Sequence, residues 1–262
     1  MTFAVIQGRP DTLNPQVSRF AQTPLTQTAF LNSVPKCGTH LLRNIVRMFV
    51  PVEQHYDREF IQLQNLEQHQ AGLDPRRPAF SVGHLIYADM AALATRHARH
   101  VILVRDPYDY ALSRARFIFS EEFRHPMLEP LKAAASVDQV INFMIFGVPG
   151  KGPALRETFT FNAVAWMHTG AEIVRYEDIV AALKTLDTPA AEAFFTDLLG
   201  KFGIALPQDW RERVRIGSAR EHSATDSGQL SGVPDFPKAL SEGQKALVDY
   251  AAPGLRALLG YS

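Results

Sequence analysis

The chain contains one cysteine, Cys37, among 262 residues. That scarcity excludes an intramolecular disulfide and any thiolate-rich zinc site. Excess charge is also missing, with 27 Lys plus Arg against 27 Asp plus Glu. With no overall field to draw in nucleic acid or an acidic membrane, any anion must be held by a local arrangement of groups. No stretch reaches the roughly 18 uninterrupted apolar residues of a membrane-spanning helix. The opening residues MTFAVIQGRPDTLNPQ lack a basic segment, and their short apolar run is cut by Gln7 and Pro10, so they read as neither a secretory signal nor an anchor. These absences point to a cytoplasmic protein that binds small molecules. What is present is ordinary for a globular chain: 46% hydrophobic and 21% charged residues, enough to build a substantial core.

Local patterning divides the chain into alternating elements. Residues 1–27 are rich in Pro, Gln and Thr without periodicity and read as an extended arm. The short apolar run 29–34 ends at Pro35 and Gly38. Apolar residues at 41, 42, 45, 46, 48 and 49 then recur at helical spacing. A strand at 79–82 and a helix at 86–97 follow. The run HVILVR at 100–105 suits a parallel strand buried on both faces, and Asp106-Pro107 is a cap and first-turn proline for a helix to about residue 120. Further helices are expected near 130–147, 156–169, 190–202 and 241–259, a strand at 172–176, and a loop at 216–238. This order predicts a three-layer α/β fold, a central parallel sheet flanked by helices, forming one domain over 28–262. Ligands of such sheets sit at the carboxyl ends of the strands, so the loops after residues 34, 82, 105 and 175 are the ones to inspect.

The loop Val34-Pro35-Lys36-Cys37-Gly38-Thr39-His40 stands between a buried strand and a helix start. Unpaired backbone N–H groups and the positive end of the helix dipole make such a place suited to a phosphate or sulfate. Gly38 allows close approach of the backbone, Thr39 offers a hydroxyl, and Lys36 supplies a mobile point charge. The same residues also suit a plain β-α turn with a solvated lysine. The triphosphatase pattern GxxxxGK[ST] is excluded, because the lysine precedes the glycine and no second glycine stands upstream. In VILVRDPYDYALSRARF, Arg105 ends a strand and Ser113 follows eight residues later. A guanidinium fork and a hydroxyl together can hold a phosphate monoester. Equally, Arg105 can pair with Asp106 or Asp109, and Ser113 can lie on a helix surface.

Taken together, these segments resemble the P-loop-like sulfotransferase superfamily that uses 3'-phosphoadenosine 5'-phosphosulfate (PAPS). Lys36, Cys37, Gly38, Thr39 and Leu42 match its PKxGTxxL loop. Arg105, Pro107, Asp109 and Ser113 match its RxPxDxxxS segment, and Arg175-Tyr176-Glu177-Asp178 matches RYED. The terminal LSEGQK and LLGYS resemble the family's closing segment, so the likeness extends from about residue 28 to 261 in the expected order.

The resemblance implies that Lys36 through His40 bind the 5' phosphate and that Lys36 neutralises the leaving oxygen. It further implies that Arg105 and Ser113 bind the 3' phosphate, and that Tyr176 lies near the adenine. The family often uses a histidine in KxHLP as base. His84 in SVGHLIY occupies that place, 21 residues before Arg105, with Glu53, Asp57 and Glu59 as reserve carboxylates. The implied activity is in-line transfer of a sulfuryl group to a hydroxyl or amine of an unidentified acceptor, leaving 3',5'-adenosine bisphosphate, without a metal.

The chain also departs from the pattern. Cys37 stands where serine is usual, His40 where threonine is common, Leu41 where an aromatic residue often covers the adenine, and Val82 where the histidine segment has lysine. GQLSGVPDF at 228–236 lacks the basic pair of RKGxxGDW, for which Arg215 and Arg220 are the available substitutes. Phe117, Phe119 and Phe123 suit either an apolar acceptor pocket or core packing. A kinase of related fold and a non-catalytic nucleotide-binding module are the alternatives. The first is weakened by the missing GK[ST] and the second is kept open by the missing basic pair.

Overall fold

The computed structural model describes residues 5–6, 11–120, 123–124, 134–222 and 235–262. The chain divides into two compact units: Asp11–Val104 with Phe161–Ser223, and Met1–Pro10 with Arg105–Thr160 and Ala224–Ser262. The strands are β1 (Val5–Ile6), β2 (Ala29–Ser33), β3 (Phe80–Gly83), β4 (Arg99–Val104), β5 (Phe123–Arg124) and β6 (Glu172–Arg175). Four of them form one parallel sheet in the order β3-β2-β4-β6, the central parallel sheet flanked by helices that the alternating pattern predicts. Ala29 pairs with both Phe80 and Arg99, and Val101 with Glu172. β2 and β3 are buried throughout, and β4 from His100 onward, as expected of strands covered on both faces.

The order places β2 at the reversal. From it the chain goes first to β3 on one side and later to β4 on the other, so the crevice at the carboxyl end of β2 beside β4 is the place where such sheets take ligands. The loop at 34–38 occupies that end, and the N–H of Val34 donates to the carbonyl of Leu103 at 3.0 Å.

Helix α2 (Thr39–Arg47) leaves this loop and buries Leu42, Ile45 and Val46. Its far end is held by Arg213, only 2% exposed, which donates to the carbonyls of Met48 and Ala21 and pairs with Asp209. A cation at a helix C-terminus satisfies carbonyls that have no intrahelical partner. Arg213 belongs to the helix Trp210–Ser218, which crosses α2 closely at Gly217. A Cβ there would stand 2.8 Å from the Asn44 carbonyl oxygen and from the Ile45 Cα. Residues 11–27, expected as an extended arm, carry one helical turn, α1 (Asn14–Val17), and bury Leu13, Val17 and Leu25. Asp11 and Asn14 both reach the buried Arg47.

The other unit contains α4 (Pro107–Phe119), the helices Val137–Phe146, Glu242–Ala251 and Leu255–Leu258, and the antiparallel pair β1 and β5. Asp106 caps α4 by accepting from the N–H of Tyr108, with Pro107 in the first turn. Ser136 with Gln139 and Ser241 with Gln244 form reciprocal capping boxes.

Several boundaries differ from the expectation. The single helix expected over 241–259 is broken near Pro253 and Gly254, the latter at φ 73°. The expected 86–97 helix narrows to α3 (Asp89–Thr95). Two helices, Tyr176–Lys184 and Trp210–Ser218, were not anticipated. The first starts directly at the end of a strand with no linker to announce it, and the second is dominated by arginine and glutamate.

Gly217→Ala is expected to destabilise the protein by about 1–3 kcal/mol in urea unfolding, because backbone atoms of α2 must move to admit the methyl. Gly200→Ala, in a helix with open space at that position, is expected to be neutral or to stabilise by up to about 1 kcal/mol.

Candidate functional site

The anion loop takes its shape from two left-handed residues, Lys36 at φ 67° and Gly38 at φ 94°. Lys36 is a non-glycine residue in that region, where single residues occur mostly when their surroundings hold them. A turn closed by the Cys37 N–H on the Val34 carbonyl, at 3.2 Å, contributes to that hold. Gly38 caps α2 from the left-handed region, and a Cβ there would meet the Tyr176 ring at 2.4 Å. The position therefore disfavours any residue but glycine on two separate grounds, the φ and the Tyr176 ring. Beneath the loop, the Ser33 hydroxyl donates to the Val34 carbonyl at 2.8 Å and lies 2.6 Å from the Thr39 hydroxyl, which is the donor within that pair. The Thr39 hydroxyl offered by the sequence as an anion donor is thus engaged inside the loop. Cys37 is fully buried.

His84 follows β3, and the strand next to it fixes its place. Asn32, buried in β2, accepts from the Leu85 N–H and donates to the Leu85 carbonyl, both at 2.9 Å. Trp166 Nε1 donates to the same carbonyl at 3.3 Å. On this anchored segment the His84 Nδ1 lies 2.8 Å from the Ser33 carbonyl. A carbonyl only accepts, so Nδ1 carries the proton and Nε2 is left with its lone pair. Burial pushes the His84 pKa down to about 4, the Ser33 hydrogen bond opposes this, and the charge of Lys36 adds to it. The ring is therefore neutral near pH 7, in the tautomer a general base requires.

Phe60 joins His84 to the anion loop. Its ring stands edge-on to His84 at 5.0 Å between centroids and tilted against His40 at 5.5 Å. The segment carrying Phe60 is held to the sheet edge by Ile61, whose N–H donates to Val82 and whose carbonyl accepts from the His84 N–H, both at 2.9 Å. His40 Nδ1 is buried without a hydrogen-bond partner. Desolvation brings the His40 pKa down to about 4, helped by Arg43, Lys36 and His84.

Tyr176 begins the helix after β6 and is half-buried, its ring against Gly38. Its neighbours in the motif are paired locally, Arg175 forking onto Asp178 at 2.8 and 2.9 Å. Lys36 through His40, His84 and Tyr176 thus all lie in the sheet-bearing unit, around the carboxyl ends of β2, β3 and β6. Of the reserve carboxylates, Asp57 is paired with Arg43 at 2.7 Å and Arg47 at 3.1 Å, Glu59 lies 3.8 Å from His69, and Glu53 is exposed.

Arg105 and Ser113 belong to the other unit and are half-buried at the start and along the length of α4. Asp106, one of the carboxylates the sequence offered to Arg105, receives a two-pronged bond from Arg256 at 3.1 and 2.9 Å. Arg256 also lies 4.0 Å above the Tyr108 ring, so the terminal LGY segment is tied to the start of α4. Of the substitutes for the missing basic pair, Arg215 is paired with Asp187 at 2.6 Å and Arg220 is exposed. The segment 228–234 lies outside the described residues. Phe117 and Phe119 are buried as core. Asn32, Ser33 and Phe60 escaped sequence reasoning. The signal for the first two was a polar pair in an otherwise apolar strand.

The histidines carry a stability consequence. His100, between Phe30 and Trp166, is pushed by burial to about 3, while His40 and His84 lie near 4. All three fall below the roughly 6.5 of an unfolded histidine. Between those limits the unfolded chain binds protons that the folded chain refuses, so their contribution is intact above pH 6.5 and is lost as pH falls toward 4. Urea midpoints measured from pH 7 to 4.5 are expected to fall steeply, and a flat profile would contradict the burial of these rings.

No family model matches the chain, and no curated protein matches it by sequence. Solved structures do match it. One is the crystal structure of retinol dehydratase in complex with androsterone and inactive cofactor PAP, with a TM-score of 0.48 at 14% identity over 90% of this chain and 82% of that one. Another is mouse sulfotransferase SULT7A1 complexed with PAP, with a TM-score of 0.55 at 13% identity over 95% of this chain and 89% of that one. The chain has the fold of this sulfotransferase.

Proposed function

We propose that the protein is a sulfotransferase that moves a sulfuryl group from PAPS to a hydroxyl or amine of a small-molecule acceptor. The observation that carries this reading is His84, neutral and with Nε2 unprotonated, anchored by Ser33 and Asn32 beside a loop that turns backbone and Lys36 around a helix N-terminus. Mouse sulfotransferase SULT7A1, whose fold this chain has, is complexed with PAP, the product that such a donor leaves. The residues suit the donor. Gly38, under the Tyr176 ring, keeps the loop free of a Cβ, and the first N–H groups of α2 are the donors an anion needs.

In this reading Lys36 and the N–H groups of residues 38–40 hold the 5'-phosphosulfate end, the Cys37 N–H being spent on the Val34 carbonyl. Tyr176 contacts the adenine, and Arg105 and Ser113 take the 3' phosphate. His84 Nε2 removes the acceptor's proton as its oxygen or nitrogen bonds to sulfur. The bond from sulfur to the 5'-phosphate oxygen breaks, and Lys36 neutralises the charge gathering on that oxygen. The stabilisation is greatest in the transition state, which is where it accelerates transfer. The carboxylates are less suited to the base's role, since Asp57 is held between two arginines.

Calorimetry is expected to show tight binding of 3',5'-adenosine bisphosphate and at least tenfold weaker binding of ADP, and equal affinities would remove the 3'-phosphate site. Lys36→Ala is expected to lower kcat by about 100-fold or more, in the range of a lost transition-state donor, with a smaller change in bisphosphate affinity. With an acceptor found by screening labelled donor against phenols, lipids, sugars and peptides, kcat/KM reports the free enzyme's base. Its acid limb is expected near pH 4, where His84 titrates, and a limb at 6.5 would move the base to another group.

A further inference from the structure

His40 is a histidine on the first turn of α2, immediately after the anion loop. Its surroundings determine which way its proton points. Nδ1 is enclosed and has no hydrogen-bond partner, while the residue keeps part of its surface open. A buried N–H without an acceptor is rarer in folded proteins than a buried acceptor without a donor. The favoured tautomer therefore leaves Nδ1 bare and puts the proton on Nε2, at the open edge of the ring. Phe60 holds the ring by its tilted contact at 5.5 Å. His84, edge-on to the same phenyl group, has the opposite tautomer, since its Nδ1–H is spent on the Ser33 carbonyl. One aromatic ring thus contacts both an imidazole that donates an N–H and one that keeps a nitrogen lone pair. Lys36, Arg43 and His84 are the charged or titratable groups that act on His40, and none of them is a carboxylate. Arg43 is itself paired with Asp57, so it is the charge of Lys36 that suits the donor's surroundings to an anion.

We infer that His40 is a ligand of the transferred group itself. Its Nε2–H donates to a sulfuryl oxygen of the donor held at the start of α2, while His84, in contact with the same Phe60, accepts the proton of the incoming nucleophile. This rests on the sulfotransferase reading and adds a division of labour between two histidines of opposite tautomer. It also gives a use to one of the departures of the loop, a histidine where a threonine is common. A hydroxyl can rotate to either role, whereas an imidazole locked by burial of one nitrogen is committed to donating.

The test compares two ligands that differ by the sulfuryl group. Binding of PAPS and of 3',5'-adenosine bisphosphate is measured by calorimetry for the natural chain, His40→Leu and His40→Gln. Loss of a hydrogen bond to a charged group corresponds to about 10- to 100-fold in affinity. His40→Leu is therefore expected to weaken PAPS by that factor and the bisphosphate by less than about threefold. His40→Gln, which keeps an N–H donor at similar reach, is expected to stay within about threefold for both. Nitrogen-detected NMR of the natural chain is expected to report Nε2–H for His40 and Nδ1–H for His84, a readout independent of any variant's folding. Equal weakening of both ligands in His40→Leu, unchanged PAPS affinity, or an Nδ1–H tautomer at His40 would each overturn the inference. If the natural chain binds neither ligand, the sulfotransferase reading falls and takes the inference with it. If it binds both and only the His40 outcomes fail, that reading survives alone.

Discussion

The Asn32 side chain exchanges two hydrogen bonds with the N–H and carbonyl of Leu85, and much of the candidate site depends on them. Asn32 is fully buried, so its amide has no water to turn to. Losing Leu85 would leave two buried groups unsatisfied, at about 1–3 kcal/mol each. That asymmetry pins the chain as it leaves β3 against the end of β2. His84 is the residue just before the pinned one, and Ser33 the residue just after Asn32. The hydrogen bond that selects the His84 tautomer is thus set by its immediate neighbours in each strand. A loop without such an anchor would leave the imidazole free to turn and the direction of proton transfer undefined.

The loop after β2 is constrained in a different way. Its left-handed residues and the Tyr176 ring over Gly38 restrict backbone shape by steric exclusion. The Ser33 and Thr39 hydroxyls fill the space under it with mutual hydrogen bonding. The backbone N–H groups at the start of α2 are thereby oriented before any ligand arrives, so binding does not have to supply the ordering. Arg213 and Gly217 hold the body of α2 from the opposite side, one through carbonyl bonds and the other through close approach.

Much of this was legible in the chain. Short apolar runs alternating with helical patterns announced the four parallel strands. The position of Pro35 and Gly38 announced the loop, and Asp106-Pro107 announced the cap of α4. What escaped has identifiable reasons. The helix Trp210–Ser218 buries Arg213 and Gly217 beside Trp210 and Val214, so only half of its buried face shows as hydrophobic periodicity. Phe60 sits in a polar, Gln-rich stretch with only short helical turns, and the pairing of Ile61 with the edge of β3 holds it in contact with two histidines.

By itself, then, the order of residues determined which groups are available: a lysine, a glycine and a helix start after one strand, a histidine after the next, a tyrosine after the last. It did so because strand and helix periodicity and turn chemistry are local. Only the tertiary structure decided which of those groups are spent and which remain usable. It committed the Thr39 hydroxyl to Ser33, Asp57 to two arginines and Asp106 to Arg256. It left His84 with a free lone pair and His40 with an enclosed Nδ1. Hydrogen-bond partners and burial are set by residues far apart in sequence, and those two quantities fix a side chain's protonation and direction.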